Sequence, residues 1–232
     1  MSASSTAVSS ETRRIVAICD QHGHLPEVEP CDLLLLGGDL CPTDDHDVAH
    51  QQRWLLGPFR EWLAAAPATR IVAIAGNHDF VFQSPLAATL RDLPWTYLED
   101  ETADVLGLRV HGTPWQPWFG GWAFNAPRGE PGEPFLAERF ALIPDDVDVL
   151  LVHGPPRGYG DRTQSGVDAG STALLAAIER SRPRLCVFGH IHEGAGRWQH
   201  GPSELINATL VDLRYQPVHR PAVVDLPVAE RR

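Results

Sequence analysis

Five short apolar runs, each followed by a polar residue, dominate the hydrophobic pattern of the chain. They cover residues 14–19, 32–36, 70–75, 148–152 and 185–188. Near-continuous apolar runs of this length are typical of strands that are buried on both faces of a sheet. The pattern therefore predicts five central strands.

Segments in which apolar residues recur at helical spacing lie between these runs. Within residues 47–66 the spaced positions are Trp54, Leu55, Phe59, Trp62 and Leu63. Further helices are predicted over about 133–142 and 168–181, and short strands around Ile206, Val211 and Val223–Val224. Strands that alternate with helices predict an α/β fold.

The chain shows no internal repeat and no linker between domains. We therefore expect residues 13–228 to form a single domain. Residues 1–12 begin with small polar residues and carry no apolar pattern, so they are predicted to be a disordered lead.

Each of the five runs leads into a residue that can bind a metal ion. These residues are Asp20, Asp39, Asn77, His153 and His190. In open α/β sheets, ligands bind at the carboxyl ends of the strands, so we expect the five to lie along one edge. His22 and His192 follow Asp20 and His190 at a distance of two residues and join the candidate site.

Taken one at a time, most of these residues also fit ordinary structural roles. Asp39 and Asn77 follow glycines and would suit turns. The D-x-H pair could cap a loop, and His153 could be a half-buried histidine without a ligand. Only His190 and His192 in the sequence GHIH indicate metal binding by themselves, because two imidazoles so close together are unusual without that reason.

Together, the ordered blocks D-x-H, GGD, GNHD, H-G and GHIH resemble the motifs of the calcineurin-like metallophosphoesterase superfamily. The resemblance implies a four-layer αββα sandwich with two divalent metal ions. It implies one ion on Asp20, His22 and His192, the other on Asn77, His153 and His190, and Asp39 as the bridge. Such donors suit Mn, and also Fe, Ni, Co or Zn, and the implied reaction is attack on phosphorus by a metal-activated hydroxide.

The resemblance also assigns roles within the GNHD block. Asn77 and His78 would contact substrate, and His78 would act as a catalytic residue at the phosphoryl or leaving-group oxygen. Asp79 would also be catalytic, because it would orient the His78 ring. The other histidines match no motif and are expected to be structural or at the surface; they are His24, His46, His50, His111, His200 and His219.

A narrower resemblance lies in HGTPWQPWFGGWAFN (111–125) and INATLVDLRYQPVHRPAVVDLP (206–227). Both stretches are similar to the metallophosphoesterase-domain group, abbreviated MPPED, which implies nucleotide-like substrates. The aromatic residues of the first stretch have two interpretations. They could form the loop's own packed core, or Trp115 or Trp118 could stack on a nucleobase as a substrate-binding residue.

Charge and composition exclude some classes of partner. The net charge is −11, and all nineteen basic residues are arginine. This balance disfavours polynucleotides, which require a basic footprint, and a P-loop lysine is absent from the sequence. We find neither the apolar region of a signal peptide nor an apolar run that could span a bilayer. We therefore expect a cytoplasmic protein that binds no membrane, and the sequence gives no indication of its oligomeric state.

The leading hypothesis is an enzyme, a metal-dependent phosphodiesterase for small substrates, above all cyclic nucleotides. Two alternatives stay open. One is a phosphomonoesterase, including a protein phosphatase, and the other is a weakly catalytic regulator that binds nucleotides.

Overall fold

A computed structural model describes residues 11–228 of the chain. The strands in this range are β1 (Thr12–Ile18), β2 (Cys31–Gly37), β3 (Ala68–Ile74), β4 (Thr96–Tyr97), β5 (Glu101–Val105), β6 (Leu108–Thr113), β7 (Val149–Val152), β8 (Leu185–Phe188), β9 (Gly196–His200), β10 (Ser203–Asn207) and β11 (Ala222–Pro227). The α-helices are α1 (Val48–Trp54), α2 (Arg60–Ala65), α3 (Gly132–Phe140) and α4 (Thr172–Ser181).

The strands form two sheets. The first has the order β11-β1-β2-β3-β4, in which β1 to β4 are parallel and β11 is antiparallel to β1. The second has the order β5-β6-β7-β8-β10-β9, in which the four inner strands are parallel and the two edge strands are antiparallel.

Alternate residues of each central strand point to different cores, which explains why the runs are apolar without a break. In β1, Ile15 and Ala17 pack into a core that lies between the two sheets, whereas Val16 and Ile18 pack into a core with α1 and α2. In the second sheet, the outward residues of β7 and β8 pack against α3 and α4. The four-layer αββα sandwich is thereby confirmed.

We expected the five strand ends to lie along one edge, but they belong to two different sheets. β1, β2 and β3 belong to the first sheet, and β7 and β8 belong to the second. The carboxyl ends of both sets of parallel strands meet at the same end of the sandwich, since His190 after β8 contacts Asp20 after β1. Two edges, and not one, therefore supply the candidate site.

Two predicted helices differ from the observed ones. The helix predicted over residues 47–66 is broken by a π-helical turn at Leu55–Phe59, in which Gly57 leaves helical dihedral angles before Pro58. Proline lacks the N–H that a continuous helix needs, so the kink is expected there. The helix predicted over 168–181 starts later, after Ser171, whose hydroxyl caps it.

Other differences concern the N-terminal segment and Val211. Residues 1–10 of the predicted lead lie outside the described range, and Thr12 already belongs to β1. Val211 pairs only through an isolated bridge to Pro217 and not within a strand.

In residues 11–228, none of the helices combines the length and the apolar character that crossing a membrane requires.

Candidate metal centre

The predicted metal-binding residues sit on sharply turned backbone at the strand ends. The φ angles are 54° at Asp20, 45° at His22, 53° at Asp39 and 67° at His190. Left-handed backbone is disfavoured for residues other than glycine and is concentrated at functional sites. It is stabilised here by hydrogen bonds between the loops, since the backbone N–H of His190 donates to both carboxylate oxygens of Asp20 (2.9 and 3.0 Å).

Two glycines permit the loops to approach each other closely. A Cβ atom at Gly189 would lie 2.2 Å from Oδ2 of Asp20, and one at Gly76 would lie 2.3 Å from Oδ1 of Asp39. Any larger residue would have to displace these carboxylates. The glycines of the GHIH and GNHD blocks therefore make room for the candidate ligands.

One group of donors consists of Asp20, His22 and His192, whose ligand atoms lie within 4.8 Å of one another. The Nε2 atoms of the two histidines are 3.2 Å apart. Nδ1 of His192 lies 3.1 Å from the carbonyl oxygen of Asp212, which can only accept a hydrogen bond. In the neutral ring the proton is therefore on Nδ1, and Nε2 presents its lone pair to the group.

A second group consists of Asn77, His153 and His190. Oδ1 of Asn77 lies 2.8 Å from Nε2 of His153 and 2.7 Å from Nδ1 of His190. Nδ1 of His153 faces the carbonyl oxygen of Gly37 at 3.0 Å, so the neutral ring again turns a lone pair toward the group. The amide oxygen and one ring nitrogen of each histidine thus converge at one place.

Asp39 lies between the two groups. Its Oδ2 is 3.6 Å from Nε2 of His22, and its Oδ1 is 3.5 Å from Nε2 of His153. Each carboxylate oxygen therefore faces a different group. The backbone N–H of His78 also donates to Oδ1 at 2.7 Å, which fixes the carboxylate.

Burial changes the protonation of these residues. Burial, with the neighbouring imidazoles, lowers the pKa of both His22 and His190, which favours the neutral rings that metals bind. Burial also acts to lower the pKa of His153, but the carboxylates of Asp39 and Asp20 outweigh it and raise that pKa. Burial also raises the pKa of Asp39 to about 6, with Asp20 adding to the rise and His153 opposing it. Converging lone pairs beside buried carboxylates fit divalent cations, which such mixtures of nitrogen and oxygen atoms bind.

His78 is enclosed on several sides. Trp122 lies against its ring with a centroid distance of 4.1 Å, and Nδ1 of His78 faces Nε2 of His46 at 3.0 Å. The side chain of Gln51 donates to its backbone carbonyl. Burial, with His46 adding to the effect, lowers the pKa of His78 to about 4.

Asp79 does not orient the His78 ring, which corrects our expectation. Its buried carboxylate accepts hydrogen bonds from the backbone N–H groups of Leu40, Cys41 and Gly76, at 2.8 to 3.1 Å. These contacts join the loop after β2 to the loop after β3. His46 occupies the position beside the His78 ring that we had assigned to Asp79.

The two tryptophans singled out as substrate-binding residues have different surroundings. Trp115 packs against Phe124 and Phe135, and its indole N–H donates to Asp100. The ring of Trp115 is therefore part of the packed core of the loop and is not among the side chains that line the cavity beside the candidate centre. Trp118 is 43% exposed and lines a cavity beside the candidate centre.

This cavity has a volume of about 730 Å³ and reaches Asp39, Asn77, His78, His190 and His192. Its other walls include apolar side chains, which are Pro117, Trp118, Phe119, Val167, Ile191, Leu213 and Tyr215. Volumes of this size are usual for sites that bind small molecules.

Sequence reasoning missed three residues that surround the candidate centre. His46 and Trp122 contact His78, and the ring of Tyr215 lies 4.7 Å from that of His22. His46 follows the GGD block outside any motif, and Tyr215 lies in a stretch whose resemblance to the MPPED group assigned no role to it. For His46 the sequence held no signal.

The geometry agrees with a comparison of the sequence with known families. A family model described as calcineurin-like phosphoesterase matches residues 10–194. The chain belongs to this family. Family membership supports a metal-dependent phosphoester hydrolase and implies divalent metal ions, for which the groups described above offer the donors.

Relatives of this calcineurin-like phosphoesterase extend over most of its length. The human metallophosphoesterase domain-containing protein 1 is 39% identical, with 92% of this chain and 71% of the relative covered. A UPF0046 protein of Caenorhabditis elegans is 32% identical, with 96% of this chain and 62% of the relative covered. The narrower resemblance to the metallophosphoesterase-domain group is confirmed.

Solved structures share the fold at low identity. The phosphopantetheinyl hydrolase of Mycobacterium tuberculosis superimposes with a TM-score of 0.53 at 13% identity, over 87% of this chain and 90% of that structure. At this identity the likeness concerns the fold alone.

Proposed function

We propose that the chain is a phosphodiesterase that hydrolyses small phosphodiesters, with cyclic nucleotides as the leading candidates. The main support for the proposal is the position of Asp39 at the wall of the cavity. Its two carboxylate oxygens face two separate groups of donors. Two bound divalent ions would supply the positive charge that activates water and stabilises the reacting phosphoryl group.

In this proposal each ion has its own ligands. One ion would be held by Asp20, His22 and His192 and the other by Asn77, His153 and His190, with Asp39 available to both. This set of imidazole, carboxylate and amide donors suits manganese, which is our first choice, as well as iron, cobalt, nickel or zinc.

His78 serves the leaving group or a phosphoryl oxygen. Its ligand atom lies within 4.8 Å of those of His22 and Asp39, so the ring borders the place where a phosphoryl group would bind. With a pKa of about 4 the ring is neutral at neutral pH, and a neutral imidazole offers a hydrogen bond from one nitrogen. Trp122 and His46 hold the ring in this position.

The cavity supports a small substrate. Its volume suits a single small ligand, and the exposed ring of Trp118 offers a stacking surface for a nucleobase. The walls of the cavity carry the acidic side chains of Asp39, Asp168 and Glu193. Such walls disfavour a long phosphate backbone, which requires basic contacts.

The central test is hydrolysis of bis(p-nitrophenyl) phosphate with manganese. We expect Asp39→Ala and His190→Ala to lower the rate by about 100-fold or more, because each removes donors from the metal groups. His200→Ala is the matched control, since His200 contacts Tyr159 away from the cavity. Unchanged hydrolysis in Asp39→Ala would contradict the proposed site.

Substrate preference is tested separately. We expect a higher kcat/KM for the aryl diester than for p-nitrophenyl phosphate at the same metal concentration, followed by turnover of cyclic nucleotides. The reverse order would indicate a phosphomonoesterase. Tight binding of mononucleotides with negligible turnover across several metals would indicate a regulator.

A further inference from the structure

Tyr215 has a backbone conformation that its residue type disfavours. Its φ angle is 58°, in the left-handed region. The carboxylate of Asp212 accepts the N–H groups of Arg214 and Gln216 (2.8 and 2.9 Å), and the Asp212 carbonyl accepts that of Tyr215 (2.9 Å). Nε2 of His24 lies 2.8 Å from the Tyr215 carbonyl oxygen. Hydrogen bonds to the N–H groups of the turn and a contact to the Tyr215 carbonyl oxygen thus maintain the unfavourable conformation.

The result of this conformation is an aromatic ring at the candidate metal centre. The Tyr215 ring lies 4.7 Å from that of His22 and 5.6 Å from that of His192, and it lines the cavity with 37% of the residue exposed. The carbonyl of Asp212 also faces Nδ1 of His192. One turn therefore fixes both a candidate ligand and the ring beside it.

The walls of the cavity limit how a substrate can be bound beyond its phosphoryl group. In the part of the chain that the structure describes, the side chains that line the cavity include no arginine. Phe119 and Leu213 are exposed there (61 and 47%) together with Tyr215. Beside polar side chains such as Gln164 and Ser165, these walls therefore offer apolar and aromatic contact to the rest of the substrate.

We propose that Tyr215 is a specificity-determining residue whose ring packs against an apolar or aromatic substituent of the phosphoester. This inference rests on the proposed function, because it requires a phosphoryl group at the metal centre. It accounts for the strained backbone, since a glycine or asparagine would form the same turn more easily but would place no ring there.

The test compares two phosphonates that no phosphoesterase can hydrolyse. Phenylphosphonate and methylphosphonate carry the same acid group and differ in the ring. Binding of each to the manganese-loaded full chain is measured by calorimetry. We expect Tyr215→Gly to lower the preference for phenylphosphonate by about fivefold or more. It should leave methylphosphonate binding unchanged, and Tyr215→Phe should retain the preference.

Folding is controlled by thermal unfolding of the same proteins. Glycine accepts a positive φ, so Tyr215→Gly should unfold at the same temperature as the wild type or higher. Arg182→Gly is the matched control, because Arg182 is exposed and has a φ of 51° at the end of α4. It should stabilise the protein without changing the phosphonate preference.

Two results would overturn the inference in different ways. An unchanged preference in Tyr215→Gly, with methylphosphonate still bound, would contradict the role of Tyr215 alone. Failure of the manganese-loaded wild type to bind either phosphonate would contradict the proposed function and, with it, this role.

Discussion

The imidazole of His78 lies 3.0 Å from the imidazole of His46, with Nδ1 of the first facing Nε2 of the second. One of these two nitrogens must carry the shared proton. If His46 donates, the other nitrogen of a neutral His78 carries a proton and can donate to substrate. His46 thus holds the ring of His78, and the direction of their hydrogen bond sets the tautomer of His78.

Removal of His46 should therefore impair catalysis without removing a candidate metal ligand. We expect His46→Ala to lower kcat for an aryl phosphodiester by about tenfold or more, with a small effect on KM. His46→Gln should recover part of the loss, because its amide can donate to Nδ1. His50→Ala is the control, since His50 lies on α1 near Asp45. Equal kcat for His46→Ala and the wild type would contradict the role of His46.

We expect Asp79 to stabilise the folded protein. Its carboxylate accepts three backbone N–H groups, and the amide of asparagine would turn a donor toward some of them. We expect Asp79→Asn to lower the free energy of unfolding by about 2–3 kcal/mol. The measurement is urea denaturation. Asp225→Asn, at an exposed carboxylate, should change it by less than about 0.5 kcal/mol.

The fold could be predicted from the sequence where local pattern and global structure agree. The apolar runs at 32–36 and 185–188 became β2 and β8, because strands between two cores must be apolar on both faces. β5 and β9 were not predicted. Both are edge strands in which exposed and half-buried residues dominate, so little apolar pattern marks them.

The candidate site divides in the same way. Asp39 and His190 could be predicted because their motifs sit at strand ends, which the fold brings together. The partner of the His78 ring could not be predicted. His46 takes the position that we assigned to Asp79, and Asp79 instead binds backbone N–H groups, through loop conformations that no local pattern encodes. The packing of Trp115 depends on Phe135, which belongs to α3 and lies outside the loop.

Gly189 should be as necessary as the residues it separates. A Cβ atom there would lie 2.2 Å from Oδ2 of Asp20 and 2.6 Å from Cβ of Cys19, both of which are buried. We expect Gly189→Ala to lower both metal content and hydrolysis by about tenfold or more, although it removes no donor. Gly121→Ala is the control, because a Cβ atom at Gly121 meets nothing within 4 Å. Full metal content in Gly189→Ala would show that the loops can move apart.

Metal analysis can separate the two groups of donors. If each group holds one ion, the dialysed wild type should retain about two manganese ions per chain. His190→Ala and His192→Ala should each retain about one, because each removes an imidazole from a different group. Asp39→Ala should lose more than either, since its two carboxylate oxygens face the two groups. His200→Ala should retain the wild-type content. Equal loss in all three site variants would mean that the ions bind only as a pair.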